Sequence, residues 1–298
     1  MAAKIRLGII GMSQGNGHPY SWSAIFNGYN EKAMQNCPFP VIPEYLSAHN
    51  FPEDGLSHLG KVTHIWTQDI GLSHEVAEAS NIEHVVTSLE DMIGHVDAIL
   101  LARDDAASHY GMALPFLKAG LPIYIDKPIA VTLNEADKLL DAQQYEDQIF
   151  TCSSLRFASE LMLDREQIDS LGDILHVEGS VPKYWDTYAV HLLEPIITQI
   201  PNRGELLNVF PFDKNGIRHV FVEWENTSAY IKVTGNAPSP LQIHYFGTKA
   251  SVQNVFKDSF SCFRGSLKKF VEVVHEKSNN IPRQETLEIV RILEEGRL

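Results

Sequence analysis

Short apolar segments alternate with helical segments through the first half of the chain, and this alternation constrains the fold most. The segments Ile5–Ile10, Val62–Trp66 and Val96–Ala102 are short and rich in branched side chains, as strands buried on both faces are. A helical pattern follows each of them, and the last of these helices ends at Gly120. Successive strand–helix–strand units favour a parallel sheet with right-handed crossovers. The sequence therefore predicts an N-terminal α/β domain with a doubly wound parallel sheet.

Past its midpoint the chain carries longer runs in which apolar and polar side chains alternate. Such runs are typical of an antiparallel sheet with one packed face. They cover Ile174–Val181, Val220–Trp224, Ala229–Thr234 and Leu241–Phe246. A helix is predicted near Ala158–Ser170, and two more, Phe263–Glu276 and Arg283–Glu295, follow the sheet. We therefore expect residues 155–298 to form a second, α+β domain with a mostly antiparallel sheet, the final helix lying either there or back on residues 1–154.

Charge and cysteine content exclude several classes of partner. The chain of 298 residues carries a formal net charge of −14, which repels nucleic acid and anionic membranes. Its three cysteines are far apart in sequence and match no metal-binding spacing, as expected of reduced thiols in a cytoplasmic protein. No apolar run approaches the roughly 20 residues that a membrane-spanning helix needs. We therefore expect a cytoplasmic protein with no bound metal, no nucleic-acid partner and no membrane partner.

A glycine-rich turn joins the first apolar segment to the first helix, whose first turn contains Pro19. Dinucleotide-binding Rossmann domains need glycine at this point, so that backbone N–H groups can approach a pyrophosphate. Gly11 takes the first place of that pattern, whereas Ser13 and Asn16 stand where glycine is usual. Glycine turns of purely steric origin are common, but the strand–turn–helix context favours a cofactor site with Gly11, Ser13 and Gly15 as contacts. We expect Gly11→Val to abolish cofactor binding without unfolding the protein.

The end of the second strand bears on the choice of cofactor. In NAD-binding domains an acidic residue at this point accepts hydrogen bonds from the ribose hydroxyls. This chain has Thr67 and Gln68, both neutral, followed by Asp69, which is better placed to cap the next helix. Without a carboxylate there is no repulsion of a 2′-phosphate. We therefore expect NAD or NADP as the cofactor, with NADP slightly favoured.

Two more segments carry polar side chains suited to chemistry. Lys127 lies in the sequence DKP at the C-terminal end of a predicted strand, the edge at which α/β sheets bind ligands. A lysine there can donate to a substrate oxygen or transfer a proton, although most lysines are solvated surface groups. His191 and Glu194 share one face of a helix predicted from about Thr187. A histidine beside a carboxylate can act as general acid and base, although a lone histidine is more often a packed or surface residue.

Residues 30–60 interrupt the first strand–helix–strand unit and are too many for an ordinary loop. The segment contains four prolines together with aromatic side chains. We expect an ordered excursion that packs beside the substrate cleft or at a subunit contact.

Taken together, these segments resemble the glucose–fructose oxidoreductase, inositol dehydrogenase and rhizopine catabolism (Gfo/Idh/MocA) family over nearly the whole chain. The stretch AGLPIYIDKPIAVTLNEADKLL is similar to the family's AGKHVLCEKPLA stretch and the helix after it. His109, the sequence SSLRF at Ser153–Phe157 and the stretch PRQETLEIVRILEEGR near the end are similar to further family landmarks. The resemblance implies that Lys127 faces the substrate and that His191 is the general acid and base. It also leads us to expect cofactor contacts from Arg103, His109, Asp126 and Pro128.

The chain departs from the family pattern at the histidine motif. The family's aspartate lies four residues before the histidine, whereas here that position is Thr187 and Asp186 lies one residue further back. One residue on a helix turns a side chain by about 100°. Asp186 can therefore serve the site only if the segment before Thr187 is not helical, so that its side chain bends back toward His191. The family's TPN after the fourth strand is also replaced, near Arg103-Asp104-Asp105.

These observations predict an NAD(P)-dependent dehydrogenase of a sugar, cyclitol or related polyol, which would be its small-molecule partner. A hydride would pass between nicotinamide and the C–OH or C=O carbon, with Lys127 polarising the oxygen, His191 moving the proton and Asp186 orienting one of them. Because 64 residues separate Lys127 from His191, only the fold can bring them to one cleft. The alternatives are an NAD-assisted lyase or hydrolase of the same fold and a non-catalytic nucleotide-binding or regulatory protein. We also expect a homo-oligomer, either a dimer or a tetramer.

Overall fold

The computed structural model describes residues 4–276 and 280–297, which fold into two compact units. The first unit contains Met1–Ile129, Asp137–Thr151 and Phe263–Ile281. The second unit contains Ala130–Ala136, Cys152–Cys262 and Pro282–Leu298. The chain therefore passes between the two units several times. Phe263–Ile281 belongs to the first unit, and the chain then ends in the second unit.

The secondary structure of the described residues is as follows. The strands are β1 (Ile5–Ile10), β2 (Gly60–Trp66), β3 (His84–Val85), β4 (Ala98–Leu101), β5 (Ile123–Ile125), β6 (Ile149–Thr151), β7 (Ile174–Val181), β8 (Leu206–Lys214), β9 (Ile217–Trp224), β10 (Ser228–Val233), β11 (Gln242–Gly247) and β12 (Ser251–Val255). The helices are α1 (His18–Asn27), α2 (Glu31–Met34), α3 (Val41–Ser47), α4 (Ile70–Ala79), α5 (Ala106–Lys118), α6 (Leu133–Leu140), α7 (Arg165–Leu171), α8 (Trp185–Tyr188), α9 (Val190–Gln199), α10 (Ser259–Glu276) and α11 (Arg283–Glu295). Across the described ranges, none of these helices combines the length and apolar character that crossing a membrane would require.

The first unit is built on a six-stranded sheet in the order β3-β2-β1-β4-β5-β6. Every paired strand in it is parallel to its neighbour. Its central strand β1 is buried along its whole length except at Arg6, because helices cover both faces of a sheet of this kind. This strand order is that of a Rossmann domain, whose ligands bind at the carboxyl ends of the strands on either side of the switch between β1 and β4. The predicted doubly wound sheet is confirmed.

The second unit contains a six-stranded sheet in the order β12-β11-β7-β10-β9-β8. All of its neighbours pair antiparallel except β10 and β7, which are parallel. One face is buried, as the alternating pattern predicts, and its fully buried side chains include Val177, Val222, Ile231 and Ile243. The predicted α+β region with a mostly antiparallel sheet is confirmed.

The helix predicted near Ala158–Ser170 is wrong in its first half. A short 3-10 turn at Ser154–Phe157 comes first, and α7 begins only at Arg165. The reason is a capping box, in which the Asp164 side chain accepts from the backbone of Gln167 and the Gln167 side chain accepts from the backbone of Asp164. The cap fixes the start of the helix at Arg165, seven residues later than predicted.

Residues 30–60 are ordered and belong to the core of the first unit. Helices α2 and α3 bury the side chains of Met34 and Leu46 completely. A Cβ atom added to Gly17, in the glycine-rich turn, would lie only 2.5 Å from Ile42 Cδ1 and 2.6 Å from Phe39 Cδ2. The expected order is therefore found, and the segment packs directly against the turn. Its proximity to a substrate cleft or a subunit contact stays a prediction.

We expect Leu46→Ala to lower the free energy of unfolding by about 2–5 kcal/mol, because it leaves a cavity in this core. The matched control is Val41→Ala on the same helix, where the side chain is 57% exposed and the expected change is below about 0.5 kcal/mol. Urea unfolding of the two variants measures both values. Equal effects would show that residues 30–60 are not part of the cooperative core.

Candidate functional site

Gly11 allows α1 to begin close to the end of β1. Its amide donates to the carbonyl oxygen of Trp66 at 3.0 Å, and an added Cβ would lie 2.3 Å from Cγ of Pro19. A proline ring cannot move out of the way as a flexible side chain can, so a larger residue would displace the first turn of α1. The expectation that Gly11→Val would leave the fold intact is therefore wrong, and the variant is not a clean test of cofactor binding.

The rest of the turn has the properties that an anionic pyrophosphate requires. Gly15 has φ of +80°, and no heavy atom lies within 4 Å of the place where its Cβ would be. Helix α1 has Gly17 at its N-cap position, receives no capping hydrogen bond from a side chain and has no acidic residue in its first turn. An uncapped helix N-terminus beside an open glycine backbone favours a bound phosphate group. The residues present therefore fit a dinucleotide, although Ser13 is buried and its hydroxyl bonds to Asp104 Oδ1 at 2.5 Å.

The three polar residues that follow β2, which are Thr67, Gln68 and Asp69, have different surroundings. Thr67 is buried and its hydroxyl contacts Ser73 Oγ and the carbonyl oxygen of Asp69. Asp69 accepts from the amide of Leu72 at 2.9 Å, so it caps α4 as its sequence position suggested. Gln68 is exposed instead, and its Oε1 accepts from the amide of Met12 at 2.9 Å. Gln68 and Asp69 are therefore both accessible at the end of β2, whereas Thr67 is not.

Arg103, at the end of β4, links the ends of two strands. Its Nη1 donates to Gln68 Oε1 at 3.1 Å, and its Nε and Nη2 donate to the two carboxylate oxygens of Asp105. His109 on α5 lies just behind and is fully buried. The ring nitrogens of His109 lie 2.9 Å from the carbonyl oxygens of Arg103 and Ile129. His109 therefore fixes the backbone of two strand-end segments and has no exposed surface to offer to a cofactor, contrary to the expected contact.

Asp126, at the end of β5, is the centre of a buried polar network. Its Oδ2 accepts from Asn16 Nδ2 at 3.0 Å and lies 2.6 Å from His18 Nδ1, while Oδ1 accepts from the amide of Lys127 at 2.8 Å. Burial by itself would raise the pKa of Asp126, but the charge and hydrogen bond of His18, together with Lys127, hold that pKa at about 2. The carboxylate therefore stays charged. The sequence reasoning missed His18, whose only signal was its place directly after the glycine-rich turn.

Lys127 is almost completely buried beside a second carboxylate. Its side chain is 5% exposed, and its Nζ lies 3.6 Å from Asp104 Oδ2. Lys127 is therefore not one of the solvated surface lysines that are the common case. Pro128, which follows it, is buried as well.

In the second unit, His191 on α9 is held by Ser153. The Ser153 hydroxyl lies 2.7 Å from His191 Nδ1, and the Ser153 amide donates to Glu194 Oε1 at 3.2 Å. Glu194 Oε2 accepts from Arg156 at 2.6 Å, and Arg156 also donates to Glu285 at 2.7 Å. Burial would lower the pKa of Arg156, but these two carboxylates raise it above its ordinary value, so the guanidinium remains charged. The ion cluster fixes the segment that orients the histidine.

Asp186 does not meet the condition for a role at His191. Helix α8 begins at Trp185, so the segment before Thr187 is already helical. The Asp186 side chain is 53% exposed and accepts from Arg297 at 2.7 Å. The offset of one residue turns the carboxylate away, as helix geometry requires.

Comparison with known proteins bears on the whole chain. The sequence model of an oxidoreductase family with an NAD-binding Rossmann fold (GFO_IDH_MocA) matches residues 5–153. No curated protein matches at a significant level. Among solved structures, the chain is similar to myo-inositol 2-dehydrogenase from Lactobacillus plantarum, with 13% identity over 98% of this chain and 96% of the other and a TM-score of 0.74.

Two further solved structures have the same fold. The apo scyllo-inositol dehydrogenase from Lactobacillus casei is 12% identical over 98% of this chain and 94% of its own, with a TM-score of 0.73. GenD2 from gentamicin A biosynthesis, solved in complex with NAD, is 13% identical over 99% of this chain and 93% of its own, with a TM-score of 0.71. At these identities the likeness establishes the fold alone.

We expect Asp126→Asn to lower the free energy of unfolding by about 2 kcal/mol at neutral pH. A carboxyl whose pKa is depressed by folding stabilises the protein above its unfolded pKa, and this contribution is lost as the pH falls through the folded value. The difference between wild type and variant should therefore shrink between about pH 4 and about pH 2. Urea unfolding at several pH values measures it.

The control for this test is Asp69→Asn, because asparagine caps a helix about as well as aspartate. Its stability should stay within about 0.5 kcal/mol of wild type over the same pH range. A pH-independent difference for Asp126→Asn would show that Asp126 has an ordinary pKa in the folded protein.

Proposed function

Because the chain belongs to the Gfo/Idh/MocA family of oxidoreductases, which has an NAD-binding Rossmann fold, we propose that it is an NAD(P)-dependent dehydrogenase of a sugar, cyclitol or related polyol. The observation that carries the proposal is the burial of Lys127 at the end of β5, next to Asp104 and Asp126. Burying a charged ammonium is costly unless an opposite charge compensates it, as Asp104 does here, and a buried ion of this kind in a ligand-binding edge supports a specific role. The edge of the sheet at which it lies is the one where such domains bind their ligands.

The cofactor would be held by the glycine-rich turn and by the residues at the ends of β2 and β4. The open backbone at Gly15 and the N-terminus of α1 suit the pyrophosphate. Gln68 and Arg103 suit the adenosine ribose and any phosphate on it. When bound, the nicotinamide supplies the chemistry of accepting or donating a hydride. The protein's own residues bind it, orient the substrate and move the proton.

Lys127 is assigned the task of binding the reacting oxygen of the substrate. Its ammonium is a donor only, so it stabilises negative charge that develops on that oxygen. The Asp104 carboxylate, whose Oδ2 lies 3.6 Å from Nζ, attracts the ammonium and so restricts where it can lie. Because the side chain is buried, few water molecules compete with the substrate for its protons.

His191 is assigned the proton transfer. Ser153 engages Nδ1, and Nε2 is the ring nitrogen that we assign to exchange a proton with the substrate hydroxyl. Ser153 thus takes over the orienting task that Asp186, bound to Arg297, does not perform. A hydroxyl orients the ring but brings no charge, so it stabilises the imidazolium less than an aspartate does.

We expect Lys127→Ala and His191→Ala each to lower kcat by about 10²–10⁴-fold, with the Kd for NAD(P) nearly unchanged. If both side chains serve one oxygen, the double variant should lose much less than the product of the two single losses. Turnover is measured with NAD⁺ and NADP⁺ across a panel of polyols, cyclitols and sugars. Lys118→Ala on α5, an exposed lysine, is the control and should turn over like wild type.

Three results would contradict the proposal in different ways. Single variants with wild-type turnover would remove both residues from the mechanism. Substrate consumption without net cofactor reduction would identify an NAD-assisted lyase or hydrolase. Cofactor binding without turnover of any compound in the panel would favour a nucleotide-binding protein.

We expect NADP⁺ to bind at least as tightly as NAD⁺, because Gln68 is neutral, the Asp69 carboxylate caps α4 and Arg103 donates to Gln68. Arg103→Ala should weaken NADP⁺ roughly tenfold more than NAD⁺. Calorimetric titration with both nucleotides gives the ratio. The control is Arg6→Ala, an exposed arginine paired with Asp97, which should leave the ratio unchanged. A clear preference of the wild type for NAD⁺ would contradict the expectation.

A further inference from the structure

His18 and Asp126 form an imidazole–carboxylate pair that the proposed chemistry does not use. His18 is the first residue of α1, and its Nδ1 lies 2.6 Å from Asp126 Oδ2. The Asp126 side chain is 2% exposed, whereas the His18 side chain is 18% exposed. The Asp126 end of the pair is therefore buried, whereas His18 is partly exposed at the start of α1, directly after the glycine-rich turn.

The His18 ring is held firmly in this position by aromatic packing. It stacks on Trp22 of the same helix, with the ring centroids 4.9 Å apart and an angle of 13° between the planes. Phe263 of α10 meets it edge-on, also at 4.9 Å. Neither ring carries a charge. The backbone amide of His18 donates to Asn16 Oδ1 at 2.8 Å, which ties the ring to the turn.

The charges around His18 come from the ends of β4 and β5. Asp126 faces it directly, and Lys127 and Asp104 lie next along the same network. A carboxylate that stays ionised attracts a protonated imidazole. With Asp126 accepting from Nδ1, the second ring nitrogen, Nε2, is the one that can gain a proton and donate to a ligand.

The glycine-rich turn lacks a positive charge of its own. Residues 11–17 include no lysine or arginine. The basic side chains nearest in the network already have acidic partners, since Arg103 binds Asp105 and Lys127 lies beside Asp104. A pyrophosphate brings negative charge to an edge that already carries several carboxylates, so a further positive charge there stabilises the complex.

We propose that His18 is a cofactor-binding residue whose protonated ring contributes this charge, so that binding of the dinucleotide takes up a proton at His18. The inference rests on the proposed function only in requiring a dinucleotide at the turn. Asp126 is then a positioning residue, which holds the ring and stabilises its charged form. The affinity for the dinucleotide falls as the pH rises and the free protein loses this proton.

The test is calorimetric titration of the full chain with NADP⁺ and NAD⁺ at several pH values between about 6 and about 9, so that both charge states of the free His18 ring are sampled. At each pH the titration is done in two buffers whose protonation enthalpies differ, such as PIPES and Tris near pH 7. The difference in the apparent binding enthalpy gives the number of protons taken up. We expect a fractional uptake for wild type and none for His18→Asn, whose amide can still donate to Asp126 but cannot be protonated. The variant should bind roughly tenfold more weakly at low pH, with a smaller deficit at high pH.

His84→Asn is the matched control, because His84 is an exposed histidine of β3 that contacts other residues than the turn. It should retain the proton uptake and the affinity of wild type. If His18→Asn fails to fold, two measurements on the wild-type protein still test the inference. One is the proton uptake itself, and the other is a pH titration of the histidine ring ¹H–¹⁵N signals with and without NADP⁺.

The outcomes separate this inference from the proposed function. Binding without proton uptake by wild type, or with uptake retained in His18→Asn, overturns the inference and leaves the dehydrogenase intact. Proton-linked binding in a protein that turns over no polyol overturns only the dehydrogenase. Absence of binding by wild type overturns both.

Discussion

The carboxylate of Asp126 is the interaction on which the first unit's site depends. It joins three segments that are remote in sequence: the glycine-rich turn through Asn16, the start of α1 through His18 and the end of β5 through the Lys127 amide. A buried charge is tolerated only when hydrogen bonds and an opposite charge compensate it. The compensation is complete here, because both carboxylate oxygens have donors. The turn and the DKP segment therefore form one rigid edge of the sheet, and this edge fixes the position of the Lys127 backbone.

A second buried charge has the equivalent task in the other unit. Arg156 lies between Glu194 and Glu285, and the Ser153 amide bonds to the same Glu194. Removing any member leaves an uncompensated buried charge, which costs more than the intact cluster contributes. The orientation of His191 thus depends on residues that never touch the reacting atoms. In each unit a buried ion fixes a short irregular segment beside or around a side chain to which we assign a role in the proposed function.

Elements with a strong apolar period were predictable from the sequence, whereas contacts made by tertiary packing were not. The bounds of β1, β7 and α11 agree with the prediction, because apolar side chains recur through each of these segments in the pattern of a strand or a helix. Strand β8 was missed, since it is an edge strand with few buried side chains and an internal proline. Lys127 and His191 could be singled out from local motifs. The partners His18 and Ser153 could not, because they meet Asp126 and His191 from 108 and 38 residues away.

The close packing of residues 30–60 on the glycine-rich turn makes the turn part of a larger cooperative body. Phe39 and Ile42 fill the space beside Gly17, and Arg264 of α10 donates to the carbonyl oxygen of Asp54 at 2.8 Å within the same segment. A ligand that orders the turn stabilises whatever packs against it, since local opening of one requires opening of the other. The rate of amide hydrogen exchange in α3 should therefore report whether a nucleotide is bound at the glycine-rich turn. Because residues 30–60 pack on the turn, a ligand that contacts only a few backbone atoms there would slow amide exchange along the whole of helix α3.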